Sequence, residues 1–235
     1  MTKFLEGKLA LVTGASRGIG AASAIAFAKA GAHVVITART AADLESVEQQ
    51  IHEAGGTATI APLDLAEGDA IARLALAMRE RWDSLDILML NAAMLGSLTP
   101  VAQIDGKELN RVFTLNVLAQ QALVAAFDPM LRKSQAGRVI GVTSGVARAP
   151  RAYWGAYAAS KAALENLLLC YAEEVRNLTP IKVALLNPGA TATRMRALAY
   201  PGEDPATLKS PDVVAEALVE LLKGDFATGQ LLDLR

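Results

Sequence analysis

Tyr157 and Lys161 stand four residues apart in the stretch Tyr157-Ala158-Ala159-Ser160-Lys161. On a helix that spacing brings a phenol and an ammonium onto one face. Held close, the cation favours the phenolate and is expected to pull the phenol below its ordinary pKa of about 10, toward the range useful for proton transfer near neutrality. The pair is a candidate general acid. A lone Tyr-x-x-x-Lys is also an ordinary exposed helix pair, so the reading depends on the elements that would position it.

A helix is what the local sequence dictates. Ala156, Ala158, Ala159, Ala162, Ala163 and Leu164 are strong helix formers, and no Gly or Pro interrupts Ala156 to Thr179. Around it, short apolar runs alternate with segments of helical period. Lys8 to Thr13, His33 to Ala38, Thr57 to Pro62, Asp86 to Asn91, Arg138 to Thr143, Ile181 to Asn187 and Gln230 to Leu234 read as strands. Between them fall apolar stripes such as Ile19, Ala22, Ala26, Phe27 and Ala30, or Leu44, Val47, Ile51 and Ala54, the latter stopped by Gly55-Gly56. A long helix is expected near Lys107 to Arg132, with Pro129 marking a kink or late break. Another opens at Pro211 behind the cap Ser210. This alternation predicts an α/β fold, a doubly wound, Rossmann-like parallel sheet forming a single domain over residues 1–235. Ligands of such sheets bind beyond the carboxyl ends of the strands, where Gly14, Asn91, Ser144 and Pro188 would all lie.

Bulk properties narrow the partners. The 235 residues are 52% hydrophobic, enough for a sizeable core, and 23 basic against 24 acidic residues give a formal charge of -1. No basic field recruits nucleic acid and no polybasic segment a membrane. The start, Met1 to Gly7, has no apolar leader, and no apolar run reaches the roughly 20 residues of a membrane span. A cytoplasmic protein with a small-molecule partner is expected. The single cysteine, Cys170, fits a reducing compartment and, beside Leu167-Leu168-Leu169, reads as a packed, inert thiol. His33 and His52 lie far apart without companions, so no metal is expected.

The turn after the first strand, Gly14-Ala15-Ser16-Arg17-Gly18-Ile19-Gly20, has the spacing G-x-x-x-G-x-G. Glycines let backbone and pyrophosphate approach, and the following helix start supplies amides and a favourable dipole. Glycine turns also serve as plain tight connections. The second strand ends Ile36-Thr37-Ala38-Arg39-Thr40, with no carboxylate to grip a ribose 2′-hydroxyl. Arg39, with Arg17 in the turn, offers cations to a 2′-phosphate instead, which favours NADP(H) over NAD(H).

Together these motifs resemble the short-chain dehydrogenase/reductase family in its compact form, over nearly the whole chain. Thr13 to Gly20 resembles the cofactor turn, Asp64-Leu65 the pair beside the adenine, and Asn91-Ala92-Ala93 the Asn-Asn-Ala-Gly stretch, with Leu90 and Ala93 departing from it. Asn116, Ser144, Tyr157 and Lys161 fall where the family has its Asn-Ser-Tyr-Lys tetrad, and Pro188-Gly189 with Thr191 and Thr193 resembles the segment near the nicotinamide carboxamide. The stretches Trp154 to Lys161 and Arg194 to Pro205 look similar to a bacterial subgroup of general oxidoreductases.

The resemblance implies hydride transfer between NADP(H) and a carbonyl or alcohol, with Tyr157 as general acid/base and Ser144 orienting the substrate oxygen. Lys161 would lower the tyrosine pKa and bind the nicotinamide ribose, and Asn116 would hold a water linking Lys161 to solvent. Asn91 would face the cofactor. Tyr153, Trp154, Met94, Leu95 and Met195 read either as an apolar cleft or as core, and Thr193 to Pro205 as a mobile lid. Arg148, Arg151, Arg194 and Arg196 read as a solvated face or as attraction for an acidic substrate or acyl carrier. Two other readings stand beside the first: a 3-oxoacyl carrier-protein reductase, and a non-catalytic dinucleotide-binding regulatory protein. The apolar helices Val112 to Phe127 and Ala162 to Tyr171 suggest a homodimer or homotetramer.

Overall fold

A computed structural model describes residues 3–235; Met1 and Thr2 lie outside the described residues. Seven strands, β1 (Leu9–Thr13), β2 (His33–Ala38), β3 (Thr57–Pro62), β4 (Ile87–Leu90), β5 (Arg138–Val142), β6 (Lys182–Asn187) and β7 (Gln230–Asp233), form one sheet. Their order is β3-β2-β1-β4-β5-β6-β7, and every pairing is parallel. The expected doubly wound α/β sheet is thus the fold observed.

Strands of a parallel sheet covered on both faces need apolar side chains at every position rather than alternating ones. Leu9–Thr13 and Ile87–Leu90 accordingly bury all of their residues. One face of the sheet is covered by α1 (Gly18–Lys29), α2 (Ala41–Glu53) and the later helix Pro211–Lys223, around a cluster including Phe27, Leu44, Ile51, Ile36 and Val214. The other is covered by α3 (Ala70–Arg81), α4 (Gly106–Phe113), α5 (Ala119–Leu131) and α6 (Gly155–Val175), around Met78, Leu88, Phe127, Leu164 and Leu168. The short α7 (Arg194–Ala199) follows β6, and Pro211–Lys223 is α8.

Two expectations are corrected. The helix foreseen from Lys107 to Arg132 is divided by a π-helical turn at Thr114–Leu118, while the late break expected at Pro129 follows two residues on, where α5 ends at Leu131. Proline removes one amide donor, and this close to the end of the helix that loss leaves only two further residues to wind. Ser210 holds the N-cap position of α8 and Pro211 its first turn, but the serine hydroxyl makes no capping bond.

Because the sheet reverses its winding between β1 and β4, the turns that leave these neighbours diverge and open a crevice. The carboxyl ends of β1, β4, β5 and β6 carry Gly14, Asn91, Ser144 and Pro188 to that edge of the sheet.

Candidate active site

On the β1 side, the chain turns at Gly14 and Gly18 with φ of +63° and +56°, a region that side chains with a Cβ rarely adopt. A Cβ on Gly14 would stand 2.8 Å from the Ala92 Cα, and one on Gly20 would run into the Gly14 carbonyl. A Cβ on Gly18 would meet only the Thr193 methyl, at 3.4 Å. Close packing of the turn against the end of β4 therefore needs Gly14 and Gly20, while Gly18 lies across the crevice from the segment after β6. The first turn of α1 carries no acidic residue and no side-chain cap, and Ala21 is its first amide to find a backbone acceptor, at Arg17. Free amides at a helix start suit an anionic group. Ser16 and Ile19 are half-buried in the same turn.

Beyond the end of β2, Arg39 is exposed and unpaired among the described residues. Arg17 is engaged: its Nη2 donates to the Asp43 Oδ2 at 2.7 Å. Asp43, in the first turn of α2, is a carboxylate that reading the strand end alone misses. After β3, Asp64 accepts from the Ala66 amide at 3.0 Å and Leu65 is buried.

Asn91 follows the end of β4. Its Nδ2 donates to the carbonyls of Thr13 and Gly14, at 2.9 and 3.1 Å. The buried Thr13 hydroxyl donates to the Met89 carbonyl and accepts from the amides of Asn91 and Ala92. These bonds bind the ends of β1 and β4 together, and Thr13 is a residue whose part had no signal beyond its place before the glycine turn. Leu90 is buried in the apolar cluster below, which explains its side chain.

On the other side of the crevice, α6 buries Tyr157, Ser160, Lys161, Leu164, Glu165, Leu168, Tyr171, Ala172 and Val175. This is one stripe at helical period, polar where it reaches the crevice and apolar further along. The Lys161 Nζ lies 5.8 Å from the centre of the Tyr157 ring and donates to the Val142 carbonyl at 2.8 Å. Val142 ends β5, two residues before Ser144, and α6 packs against the turn that Ser144 opens. The hydroxyls of Ser144 and Tyr157 have no hydrogen-bond partner among the described residues, so both can engage an incoming oxygen.

Asn116 is fully buried in the π-helical turn. Its Oδ1 accepts from the Met94 amide at 2.8 Å, and its Nδ2 donates to the Met94 carbonyl and the Ser160 hydroxyl at 2.9 and 3.0 Å. Ser160 in turn donates to the Tyr157 carbonyl at 2.8 Å. Asn116 therefore latches the segment after β4 to the helix bearing Tyr157. Its side-chain donors are used up, and a water held by Asn116 would rely on its carbonyl oxygens.

Burial acts on the central pair in opposite senses. It raises the Tyr157 phenol above its ordinary range rather than lowering it as the spacing suggested, while the Lys161 ammonium donates to the Val142 carbonyl. The same burial pushes Lys161 down to about 8, partly opposed by the charge of Glu165. The phenol is thus a proton donor at neutral pH, beside an ammonium able to lose its proton.

After β6, Gly189 has φ +65°, Thr191 donates to the Pro188 carbonyl at 3.1 Å, and Thr193 caps α7 by accepting from the Arg196 amide. The segment expected as a lid is folded, its α7 helix tied down by Arg196 on Glu203. Trp154 meets Tyr157 edge-on at 6.0 Å and Tyr200 at 5.7 Å. Tyr153 is exposed, with an unusual φ of 72°. Three of the four arginines that suggested an acidic partner have internal ones: Arg148 binds Glu165, Arg151 donates to the Tyr200 hydroxyl, and Arg196 holds Glu203. Cys170 is exposed, contrary to the packed thiol expected: with Leu168 and Tyr171 facing inward, the helical period turns position 170 outward.

Comparison with known proteins gives these features a context. The sequence profile described as short chain dehydrogenase matches residues 8–204. The protein YciK of Escherichia coli (strain K12), named an uncharacterized oxidoreductase, is 36% identical over 94% of this chain and 88% of its own. A short chain dehydrogenase of Shigella flexneri 2a str. 301, solved complexed with NADP, superposes with a TM-score of 0.93 at 36% identity, covering 99% of each chain. One from Escherichia coli CFT073, complexed with NADPH, superposes with a TM-score of 0.91 at 36% identity, covering 99% of this chain and 98% of that one.

Proposed function

The chain belongs to the short chain dehydrogenase family, and from that premise we propose that it transfers a hydride between NADP(H) and a carbonyl or alcohol carbon, using 1–235 as one cofactor-binding domain. The observation that carries the reading is the stripe on α6, where Tyr157 and Lys161 lie buried together against the turn opened by Ser144.

The residues present suit a dinucleotide. The amides of Gly18, Ile19 and Gly20 would hold the pyrophosphate, and Gly14 and Ser16 would shape its turn. Arg39, and Arg17 once released from Asp43, would take the 2′-phosphate, consistent with the NADP and NADPH bound by the two relatives. Asp64 and Leu65 would flank the adenine, Asn91 and Ala92 would support the middle of the cofactor, and Pro188, Gly189, Thr191 and Thr193 would border the carboxamide. Lys161 would reach the nicotinamide ribose. The nicotinamide, when bound, supplies the hydride.

What the protein contributes is placement and proton movement. Ser144 donates to the substrate oxygen and orients it. Tyr157 gives its proton to the developing alkoxide, and the Lys161 cation stabilises the phenolate left behind. Asn116 keeps α6 in register with the segment after β4. With the charges of Arg148 and Arg196 already answered by Glu165 and Glu203, a neutral carbonyl compound fits the cleft better than an acidic carrier protein. Exposed Leu118 and Leu167 on the α5 and α6 side would pack between subunits of a homodimer or homotetramer, which light scattering tests.

The test of the chemistry is NADPH oxidation over a panel of aldehydes and ketones, with wild type and Tyr157→Phe. Loss of the general acid is expected to cost about 10²–10⁴-fold in kcat. Equal rates would remove Tyr157 from the mechanism.

A further inference from the structure

One buried carboxylate has no part in the chemistry above. Glu165 lies one helical turn past Lys161 on α6 and is 7% exposed. Its Oε1 accepts from the Thr143 hydroxyl at 2.6 Å and its Oε2 from the Arg148 Nε at 2.8 Å. Thr143 immediately precedes Ser144, and Arg148 closes the same turn, where its own amide and that of Ala149 bond to the Gly145 carbonyl. A single side chain thus holds both ends of the segment that presents Ser144. A carboxylate this far from water persists only where its charge and lone pairs are met.

We infer that Glu165 is a positioning residue, a clamp that fixes the Ser144 turn from α6 while placing a negative charge one helical turn from Lys161. The inference rests on the reading of the site given above. The groups facing the carboxylate are Arg148 and Thr143 from the turn and Lys161 from its own helix. Asn187 of β6, and Asp233 and Arg235 beyond it, line a water-sized cavity of about 20 Å³ shared with Glu165. Asp233 and Arg235 pair with each other, so Arg148 and Lys161 are the charges that Glu165 answers. Burial favours the neutral form of Lys161 and Glu165 favours the cation. Removing the negative charge would let the lysine lose its proton at lower pH, and removing the reach would free the turn.

Two measurements on the unliganded protein need no substrate. Hydrogen exchange reads the amides of Ala147, Arg148 and Ala149, and ¹³C NMR of labelled lysines reads the titration of Lys161, assigned with a Lys161→Met reference. In Glu165→Gln the three amides exchange at least tenfold faster while those of β1 and β4 are unchanged, and the Lys161 midpoint falls by about one pH unit. In Glu165→Asp the charge remains but the reach is shorter, so the turn exchanges faster while Lys161 titrates as in wild type. Wild-type exchange in the turn of both variants, or an unmoved midpoint in the glutamine variant, overturns the inference. So does acceleration throughout the sheet, which marks general destabilisation. Should the glutamine variant fail to fold, the aspartate variant decides alone: wild-type exchange in its turn, or a shifted lysine, overturns the clamp. A Tyr157→Phe enzyme of full activity would defeat the proposed mechanism and leave these readings intact.

Discussion

The ammonium of Lys161 donates to the carbonyl of Val142 at 2.8 Å, so the last peptide of β5 and the second turn of α6 are joined inside the protein two residues before Ser144. The bond secures a cation that burial otherwise disfavours.

The pH dependence follows from that tension. Burial keeps the Tyr157 phenol protonated through neutrality and brings Lys161 down to about 8. Reductive turnover is expected to hold level below that pH and to fall through about pH 8, as the lysine loses the charge that steadies the phenolate. A kcat profile from pH 6 to 10 checks it; a plateau extending past pH 10 would remove Lys161 from the proton path.

Stability responds in the opposite direction to the usual salt-bridge case. The lysine midpoint is lowered on folding, so between about 8 and 10.5 the unfolded chain binds more protons and this group makes the fold more stable as pH rises. At neutral pH the buried cation costs about 3 kcal/mol, at about 1.4 kcal/mol per pH unit. Lys161→Met removes that cost and the hydrogen bond to Val142, for a net gain of about 1 kcal/mol, or 2–4 °C in Tm at pH 7. Activity should be lost, and the gain should vanish at about pH 9 and become a loss of about 2 kcal/mol above pH 10.5, where the wild-type lysine is neutral in both states.

Cofactor choice should respond to two charges of opposite sign. Arg39→Ala is expected to weaken NADPH binding by about 10-fold or more with little effect on NADH, as for a charge-assisted contact. Asp43→Ala releases Arg17 from its surface pair and should tighten NADPH by about 2–5-fold. Fluorescence titration with both dinucleotides separates the outcomes, and equal effects on NADH would relocate the 2′-phosphate.

Asn116→Ala should act on the fold as much as on catalysis. It leaves the Met94 amide and carbonyl without their partner and loosens Ser160. A loss of about 3 kcal/mol is expected, or about 6–12 °C in Tm, measurable by calorimetry.

Much of this architecture is legible in the sequence. β2 and β3 match their expected limits because β-branched runs are bounded by Ala32 behind Gly31 and by Gly55-Gly56. The shared face of Tyr157 and Lys161 on α6 is legible because spacing alone decides which residues share a helix face. The π-helical turn is not: Thr114 to Leu118 are compatible with an ordinary helix, and Asn116 is held there by distant partners in Met94 and Ser160. The leucine neighbours of Cys170 suggest a packed thiol, but burial follows the face of the helix and not local composition. Asp43 escaped notice because it approaches Arg17 from the following helix. The raised tyrosine pKa is not legible either, as spacing names the neighbours but not how deeply the phenol is buried.

Arg148 and Arg196 already have carboxylate hosts in Glu165 and Glu203, while Arg151 donates to the neutral Tyr200 hydroxyl. Two of the four cations are thus cancelled, and under the proposed function a neutral visitor would be selected chiefly by contour and the fit of aromatic walls. Added salt should leave the capture of an uncharged guest almost unaltered, even where it loosens the grip on the phosphorylated end of the dinucleotide.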